Sequence, residues 1–269
     1  MADAPACAAV MAPDAESLVA DTACYITHTV DLQGEVTLSV REGAEYDRLG
    51  QSFVGESKGF DVTGLYVWPS SYVLARWLVT RAAAAPSTLE HKVVFDLGSG
   101  CGLAGLTAAL VGNAAEVHLS DLVPNVLSNL RHNVMLNQER ASVQWRAPSV
   151  ELIDWQDSTT WPQSGSADLV LGADLVYDDG VADLLANVLA HILKEGGEFV
   201  HVRPERGRTG ASELTAALVA SGLALVEEQL VPPSRRVHDN RKGRHSMWHV
   251  FNEVGTKPFV LQRYQKMPC

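Results

Sequence analysis

The sequence predicts an α/β fold: a mostly parallel seven-stranded sheet with an antiparallel strand at its end, and a β-hairpin ahead of it. Three observations carry this expectation. Val93 to Phe95 is a short apolar run, closed by Asp96 and followed by Gly98, Gly100, Gly102 and Gly105, with the apolar segment Leu103 to Val111 beyond. Strand, glycine-rich turn and helix therefore follow in that order. From Lys92 onward, strand-like runs alternate with segments of helical period, the rhythm of βα units on a parallel sheet. The last two runs, Leu223 to Val231 and Ser246 to Val254, are joined by Pro232 to His245. That stretch leaves no room for a helix beyond its proline pair, so the two runs are expected to pair antiparallel at one edge.

Taken in order, residues 1 to 20 are alanine-rich, carry Asp3, Asp14 and Glu16, and lack the basic start of a signal peptide. A disordered leader is expected there. Residues 21 to 63 are expected to form an N-terminal β extension. Tyr25, Thr27, Thr29 and Leu32, then Val36, Leu38 and Val40, alternate on either side of Gly34 as in a hairpin. Asp47 to Gly64 is polar and irregular. The main domain then spans residues 64 to 269. In Gly64-Leu-Tyr-Val-Trp-Pro-Ser-Ser71, Pro69 suits a first helical turn. Val73, Leu74, Trp77 and Leu78 mark one face of a helix from Ser71 to Ala83. Trp68 stands just outside that helix, either as a core plug or as the wall of a ligand pocket.

Beyond the glycine turn, Val117 to Ser120 is a second strand and Pro124 to Leu136 a helix lined by Val126, Leu127, Leu130 and Val134. Ser142 to Ala147 reads as a third strand and Ala167 to Gly172 as a fourth. Val181 to Leu193 is a helix ended by Lys194-Glu-Gly-Gly197. Glu198 to Arg203 is a fifth strand, Ser212 to Ser221 a helix, and Pro258 to Tyr264 an added edge strand.

The length of 269 residues permits one large α/β domain or two small ones, and the absence of a repeat or a low-complexity linker favours one. Hydrophobic content of 46% and charged content of 20% are those of a globular chain. A net charge of −11 argues against a general nucleic-acid surface. No apolar run approaches the roughly 20 residues of a membrane helix. Cys7, Cys24, Cys101 and Cys269 are scattered without the paired spacing of a zinc site, so no metal is expected. Reduced thiols point to the cytoplasm, with the nucleus as an alternative. A monomer is expected.

A glycine turn between strand and helix presents backbone to a nucleotide-like ligand. Asp121 ends the second strand, roughly 20 residues on, where an acid can accept ribose hydroxyls. A dinucleotide would need to seat its pyrophosphate beside Asp96, which would repel it. S-adenosylmethionine carries an ammonium and a sulfonium and has no phosphate, so Asp96 would attract its methionine end directly or through water. S-adenosylmethionine is therefore expected in preference to NAD.

The pattern is similar to the Rossmann-like class I methyltransferases. Within them it resembles the lysine-methyltransferase-like group known as methyltransferase family 16. The matching stretches are Gly64 to Ser71, Phe95-Asp-Leu-Gly-Ser-Gly-Cys-Gly-Leu-Ala-Gly105, Ser120-Asp-Leu122, Leu152-Ile-Asp-Trp155 and Leu171-Gly-Ala-Asp-Leu-Val-Tyr177. The resemblance implies that Gly98, Ser99 and Gly100 contact the methionine and ribose part of the cofactor and that Asp121, with Leu122 beside it, meets the ribose. It implies Trp155 next to the adenine, Ala173 after the fourth strand, and Trp68 on the methionine side. The Asp-x-x-Tyr box, Asp174 to Tyr177, then lies at the reacting centre.

Methyl transfer to an amine needs an aligned approach, a dry site and a neutral nitrogen, whereas a free lysine has a pKa of about 10.4. Asp174 is placed to orient an incoming ammonium, or else to cap the helix that follows. Tyr177 either accepts a hydrogen bond from the amine or only shapes the channel. Trp145, Trp155 and Trp161 lie close in sequence, and one or two of them are packing residues. Ser234 to His245 is the most basic segment, read either as a solvated loop or as a dock for an acidic protein surface. The implied activity is protein lysine N-methylation. A nicotinamide-type small-molecule methyltransferase and a non-catalytic cofactor-binding scaffold are the alternatives.

Overall fold

The structure is a computed structural model and describes residues 25–32, 36–43, 63–138, 145–177, 180–208, 210–234 and 247–268. The expected leader, the polar stretch after the hairpin and most of the basic segment lie outside these residues. Strands β1 (Tyr25–Leu32) and β2 (Val36–Gly43) pair antiparallel, with Tyr25 opposite Gly43 and Leu32 opposite Val36. The hairpin is as expected, but its faces are not. His28, Val30 and Leu32 point inward, while Thr27 and Thr29 face solvent. Burial of Val30 and Leu32, not the strand preference of threonine, decides which face of β1 turns inward.

The main sheet holds β3 (Val93–Leu97), β4 (Glu116–Asp121), β5 (Ser149–Leu152), β6 (Ala167–Ala173), β7 (Leu193–Pro204), β8 (Leu223–Val231) and β9 (Phe259–Lys266). Their order across the sheet is β5-β4-β3-β6-β7-β9-β8, and β9 alone runs opposite to the other six. Helices α1 (Pro69–Ala84), α2 (Leu103–Val111), α3 (Pro124–Gln138) and α6 (Trp248–Thr256) cover one face together with the hairpin. Helices α4 (Val181–Ile192) and α5 (Ala211–Ala220) cover the other. Strand residues alternate between the two layers. Val94, Leu171 and Val202 face the first cluster, and Phe95, Val170 and Phe199 face the second. No helix among the described residues is long and apolar enough to cross a membrane.

Three sequence expectations fail here. The third strand is β5, Ser149–Leu152; of the expected run, the described residues 145–147 are not strand and the rest lies outside the described residues. β5 is a short, half-exposed edge strand, so burial wrote little pattern into it. The described part of the expected strand Ser246 to Val254, residues 247–254, is not strand. Trp248–Thr256 is helix α6, with Met247, Val250 and Val254 buried at helical spacing. Phe251 meets the Tyr72 ring of α1 edge-on at 5.4 Å. A short apolar run fits both periods, and packing against α1 decides in favour of the helix. The antiparallel partner of β8 is therefore Pro258 to Tyr264, which was expected at an edge. It lies between β7 and β8 as β9, with Phe259, Leu261 and Tyr264 in the core.

The hairpin is joined to the main domain by a ladder of amides. Asn129, Asn133 and Asn137 recur every four residues on α3, hence on one face, and all are buried. Asn137 accepts from the Ser39 N–H at 2.9 Å and donates to the Ser39 carbonyl at 2.7 Å. Asn133 accepts from the Arg41 N–H at 2.8 Å and donates to the Arg41 carbonyl at 3.1 Å. It also donates to the Cys101 carbonyl at 2.9 Å. Asn129 donates to the Arg41 carbonyl at 3.0 Å and accepts from the Arg41 Nε at 2.7 Å. The free edge of β2 thus bonds to helix side chains instead of a third strand, which satisfies backbone groups that would otherwise be buried unpaired.

Candidate active site

The carboxyl ends of β3, β4 and β6 converge on one crevice edge, as the crossover topology of an open α/β sheet dictates. After β3, Gly98 and Gly100 both have φ of 56°. A Cβ at Gly98 would stand 2.9 Å from Leu175 Cδ2 and 3.7 Å from the Trp155 ring. A Cβ at Gly100 would meet the Gly64 carbonyl at 3.2 Å. Side chains are thus excluded from this turn by backbone conformation and by neighbours, leaving main chain open to a ligand.

Asp96 lies beneath the turn. It is 2% exposed, and its Oδ2 accepts from the Gly105 N–H of α2 at 2.9 Å. Burial lifts its pKa from 3.8 to about 7. The Gly105 N–H and the Ser99 hydroxyl oppose that rise, and the Asp121 charge adds to it. The carboxylate is therefore turned under the loop rather than into open space. Ser99 is likewise engaged. Its hydroxyl donates to the Asp96 carbonyl at 2.6 Å and accepts from the Ser120 N–H at 2.9 Å, tying the ends of β3 and β4 together. Asp121 reaches across from β4, its Oδ2 accepting from the Gly100 N–H at 3.2 Å. Its Oδ1 accepts from the Leu122 N–H at 2.8 Å and more weakly from Val123, just ahead of α3. Leu122 is 51% exposed beside it. The Cys101 thiol is buried, and its pKa is pushed well above the usual range, as for an inert filler.

Trp155 stands at the turn, half-buried against the core beneath α4 and α5. Trp161 instead donates its Nε1 to the Asp154 carbonyl at 2.7 Å and tilts against His191. Trp145 lines a cavity of about 280 Å³ with Ala82, Glu90, Leu110 and Asn113, beyond the opposite ends of the strands. Trp68 is half-buried and donates its Nε1 to the Thr63 carbonyl at 2.9 Å. The peptide before it is clamped from both sides. The Val67 N–H donates to Glu42 Oε2 at 2.8 Å, and the Val67 carbonyl lies 3.1 Å from His249 Nε2. Glu42 is buried against His28 at 2.8 Å. The hairpin and α6 thereby hold the approach to α1 over the glycine turn. Sequence reasoning missed both clamp residues.

Ala173 is the last residue of β6, and Asp174 follows with φ of 60°, a left-handed conformation that costs a non-glycine residue about 1 kcal/mol or more. Asp174 does not cap α4, whose N-terminal cap is Gly180. It is 7% exposed and its backbone N–H donates to the Val202 carbonyl at 2.8 Å. Its two oxygens accept from Arg208 Nε at 2.7 Å and Nη2 at 2.6 Å. Tyr177 closes the box and is 50% exposed. Below, on β7, His201 is buried and stacked on Phe199 at 5.7 Å. Burial lowers its pKa to about 4, against the pull of Asp174 and with help from Arg203. Neither Arg208 nor His201 stood out in the sequence. Among the described residues no group of acidic, histidine and cysteine side chains could hold a metal.

A protein family described as lysine methyltransferase matches residues 53–215, more than half of the chain. The chain belongs to this lysine methyltransferase family. Protein-lysine methyltransferase METTL21E of Mus musculus is 32% identical over 142 residues, covering 52% of this chain and 55% of the relative. Calmodulin-lysine N-methyltransferase of Arabidopsis thaliana is 30% identical over 152 residues, covering 55% and 47%. The chain spans about half the length of the curated relatives it matches. Among solved structures, a Galdieria sulphuraria protein assigned as a sarcosine dimethylglycine methyltransferase superposes with a TM-score of 0.52. It is 14% identical and covers 72% of this chain and 85% of that one, a likeness of fold. Membership of the lysine methyltransferase family implies S-adenosylmethionine as methyl donor. The site fits that molecule: bare Cα positions at Gly98 and Gly100, a facing carboxylate at Asp121, an indole at Trp155, and no cationic phosphate cradle in the turn.

Proposed function

We propose that this chain is an S-adenosylmethionine-dependent protein N-methyltransferase whose acceptor is a lysine side chain. One observation carries the reading. Leu175, inside the Asp174–Tyr177 box, packs where a Gly98 side chain would be, so the acid-bearing box and the glycine turn share a wall. β3 and β6 are adjacent strands, which brings donor and acceptor groups within one crevice.

When bound, S-adenosylmethionine supplies a methyl group on a positively charged sulfur. The backbone of Gly98, Ser99 and Gly100 would hold its methionine and ribose part, and Asp121 would accept hydrogen bonds from the ribose hydroxyls, with Leu122 beside it. Trp155 would flank the adenine, Ala173 would border the reacting end, and Trp68 would wall the methionine side. Asp96 lies beneath the turn, and its ionised form favours a cationic ligand. Asp174 orients the acceptor nitrogen and Tyr177 shapes its channel. The acceptor's proton passes to water before attack, because a protonated amine has no lone pair. Neither residue has to be a strong base, since positioning alone supplies up to roughly 7–11 kcal/mol in favourable cases.

The acceptor protein is proposed to present an acidic surface to the basic stretch Ser234 to His245, and the net charge of −11 argues against nucleic acid as partner. Charge reversal at Arg235 and Arg236 is expected to raise KM more than it changes kcat. The enzyme is proposed to act as a cytoplasmic monomer, with hairpin and main domain as one catalytic unit behind the leader. The deciding experiment incubates the protein and tritiated S-adenosylmethionine with a lysate freed of small molecules. Label recovered as methyl-lysine after acid hydrolysis supports the reading; label found only in small molecules or in other residues sinks it.

A further inference from the structure

The Asp-x-x-Tyr box gives no hint of a cation, yet the structure supplies one. Arg208 lies between β7 and α5, bracketed by Gly207 (φ 84°) and Gly210 (φ 87°). Its Nε and Nη2 donate to the two Asp174 oxygens at 2.7 and 2.6 Å, a fork-to-fork geometry that fixes the carboxylate plane. Asp174 is fixed from the backbone as well, through its bond to Val202 and its left-handed φ. The carboxylate therefore has one orientation and both oxygens are taken. Within the pair the guanidinium side chain is the more exposed partner, at 27% against 6%. The other charged or titratable groups facing the pair are Glu253 of α6 and Tyr177, which act on Arg208, and His201 of β7, on which Asp174 acts. His201 is kept uncharged near neutrality by burial, and Arg203 at the end of β7 reinforces that.

We infer that Arg208 is a positioning residue that fixes and neutralises Asp174, so that the acceptor nitrogen enters as a neutral amine and not as an ammonium bound to that carboxylate. The inference rests on the reading of the chain as a lysine methyltransferase. A buried carboxylate without a partner would hold a lysine ammonium and keep its proton in place. A guanidinium cannot give up its proton at any working pH, so it removes this trap and repels a second cation. A positive neighbour also lowers the pKa of an arriving amine, bringing its deprotonation closer to neutrality.

The test uses the full chain loaded with S-adenosylhomocysteine and n-butylammonium as the probe. Calorimetry at about pH 7.5 is expected to show no binding by the wild type below about 10 mM. Arg208→Gln and Arg208→Met should each bind the probe at least about tenfold more tightly, while Arg208→Lys should resemble the wild type. Affinity for S-adenosylhomocysteine should be the same in all four proteins. In parallel, methyl-lysine formation on the lysate protein fraction is followed against pH. The acid limb should move up by about 1 pH unit in Arg208→Gln and stay in place in Arg208→Lys. A wild type that already binds the probe in this range, or an acid limb that does not move when the rate falls, overturns the inference. If the wild type forms no methyl-lysine at all, the proposed activity fails, and the calorimetric comparison still decides the role of Arg208.

Discussion

Replacing Asp96 with Asn tests the electrostatics of the site without changing its shape. Asp96 is buried, and its pKa rises from 3.8 to about 7. The sign follows from proton counting. Between these two values the folded chain holds a proton on Asp96 that the unfolded chain has released. Stability from this group is therefore complete below about pH 4 and is lost as pH rises toward 7. At roughly 1.4 kcal/mol per pH unit, a difference of about 3 units costs about 4 kcal/mol above pH 7. Asn keeps an oxygen for the Gly105 N–H and carries no charge, but it forfeits about 1–3 kcal/mol of charge-assisted bonding. The variant should therefore equal or exceed wild-type stability near pH 8 and fall behind it near pH 5. Urea unfolding at several pH values gives both curves. His201 imposes the opposite slope, since burial lowers its pKa to about 4 and folding is penalised as pH falls below its unfolded value. That contribution is common to both proteins and cancels in the difference. A difference curve that is flat, or that rises toward acid in favour of Asn, refutes the argument.

Other expectations concern the turn, the box and the ladder. Gly98→Ala places a methyl group at φ 56° and 2.9 Å from Leu175, which should cost about 1–2 kcal/mol of stability and about tenfold in S-adenosylmethionine affinity by calorimetry. Asp174→Asn should bind S-adenosylmethionine as the wild type does while losing at least about a hundredfold in methyl-lysine formation; equal loss of both would remove Asp174 from the reacting centre. Asn133→Leu strips partners from the Arg41 N–H and carbonyl and from the Cys101 carbonyl, so denaturant midpoints should report a loss of about 3 kcal/mol.

What the sequence disclosed, and what it hid, divides along the range of the interactions involved. The run from Val93 to Val111 could be read directly because strand, turn and helix are each written in neighbouring residues. Asp121 could be placed at the tip of the second strand because it directly follows the apolar run. Helix α6 was misread because Ser246 to Val254 offers two periods, and only the Tyr72 and Phe251 contact separates them. β5 was displaced because an exposed edge strand carries little apolar signature. Arg208 could not be found, since its partner lies 34 positions away and is aimed by an unusual backbone angle. The amide ladder was in plain view as asparagines at every fourth position of α3. It was passed over because asparagine is ordinarily a surface residue.

The place of β9 bears on how this chain reaches its native state on the ribosome. β8 is synthesised first, yet its hydrogen-bonded neighbour among the described residues, β9, follows α6 in the chain. While β8 waits, it has no strand partner and the outer edge of β7, already paired with β6 on its other side, stays uncovered. A nascent chain halted there is a docking target for chaperones, and release comes only when the final strand threads between the two.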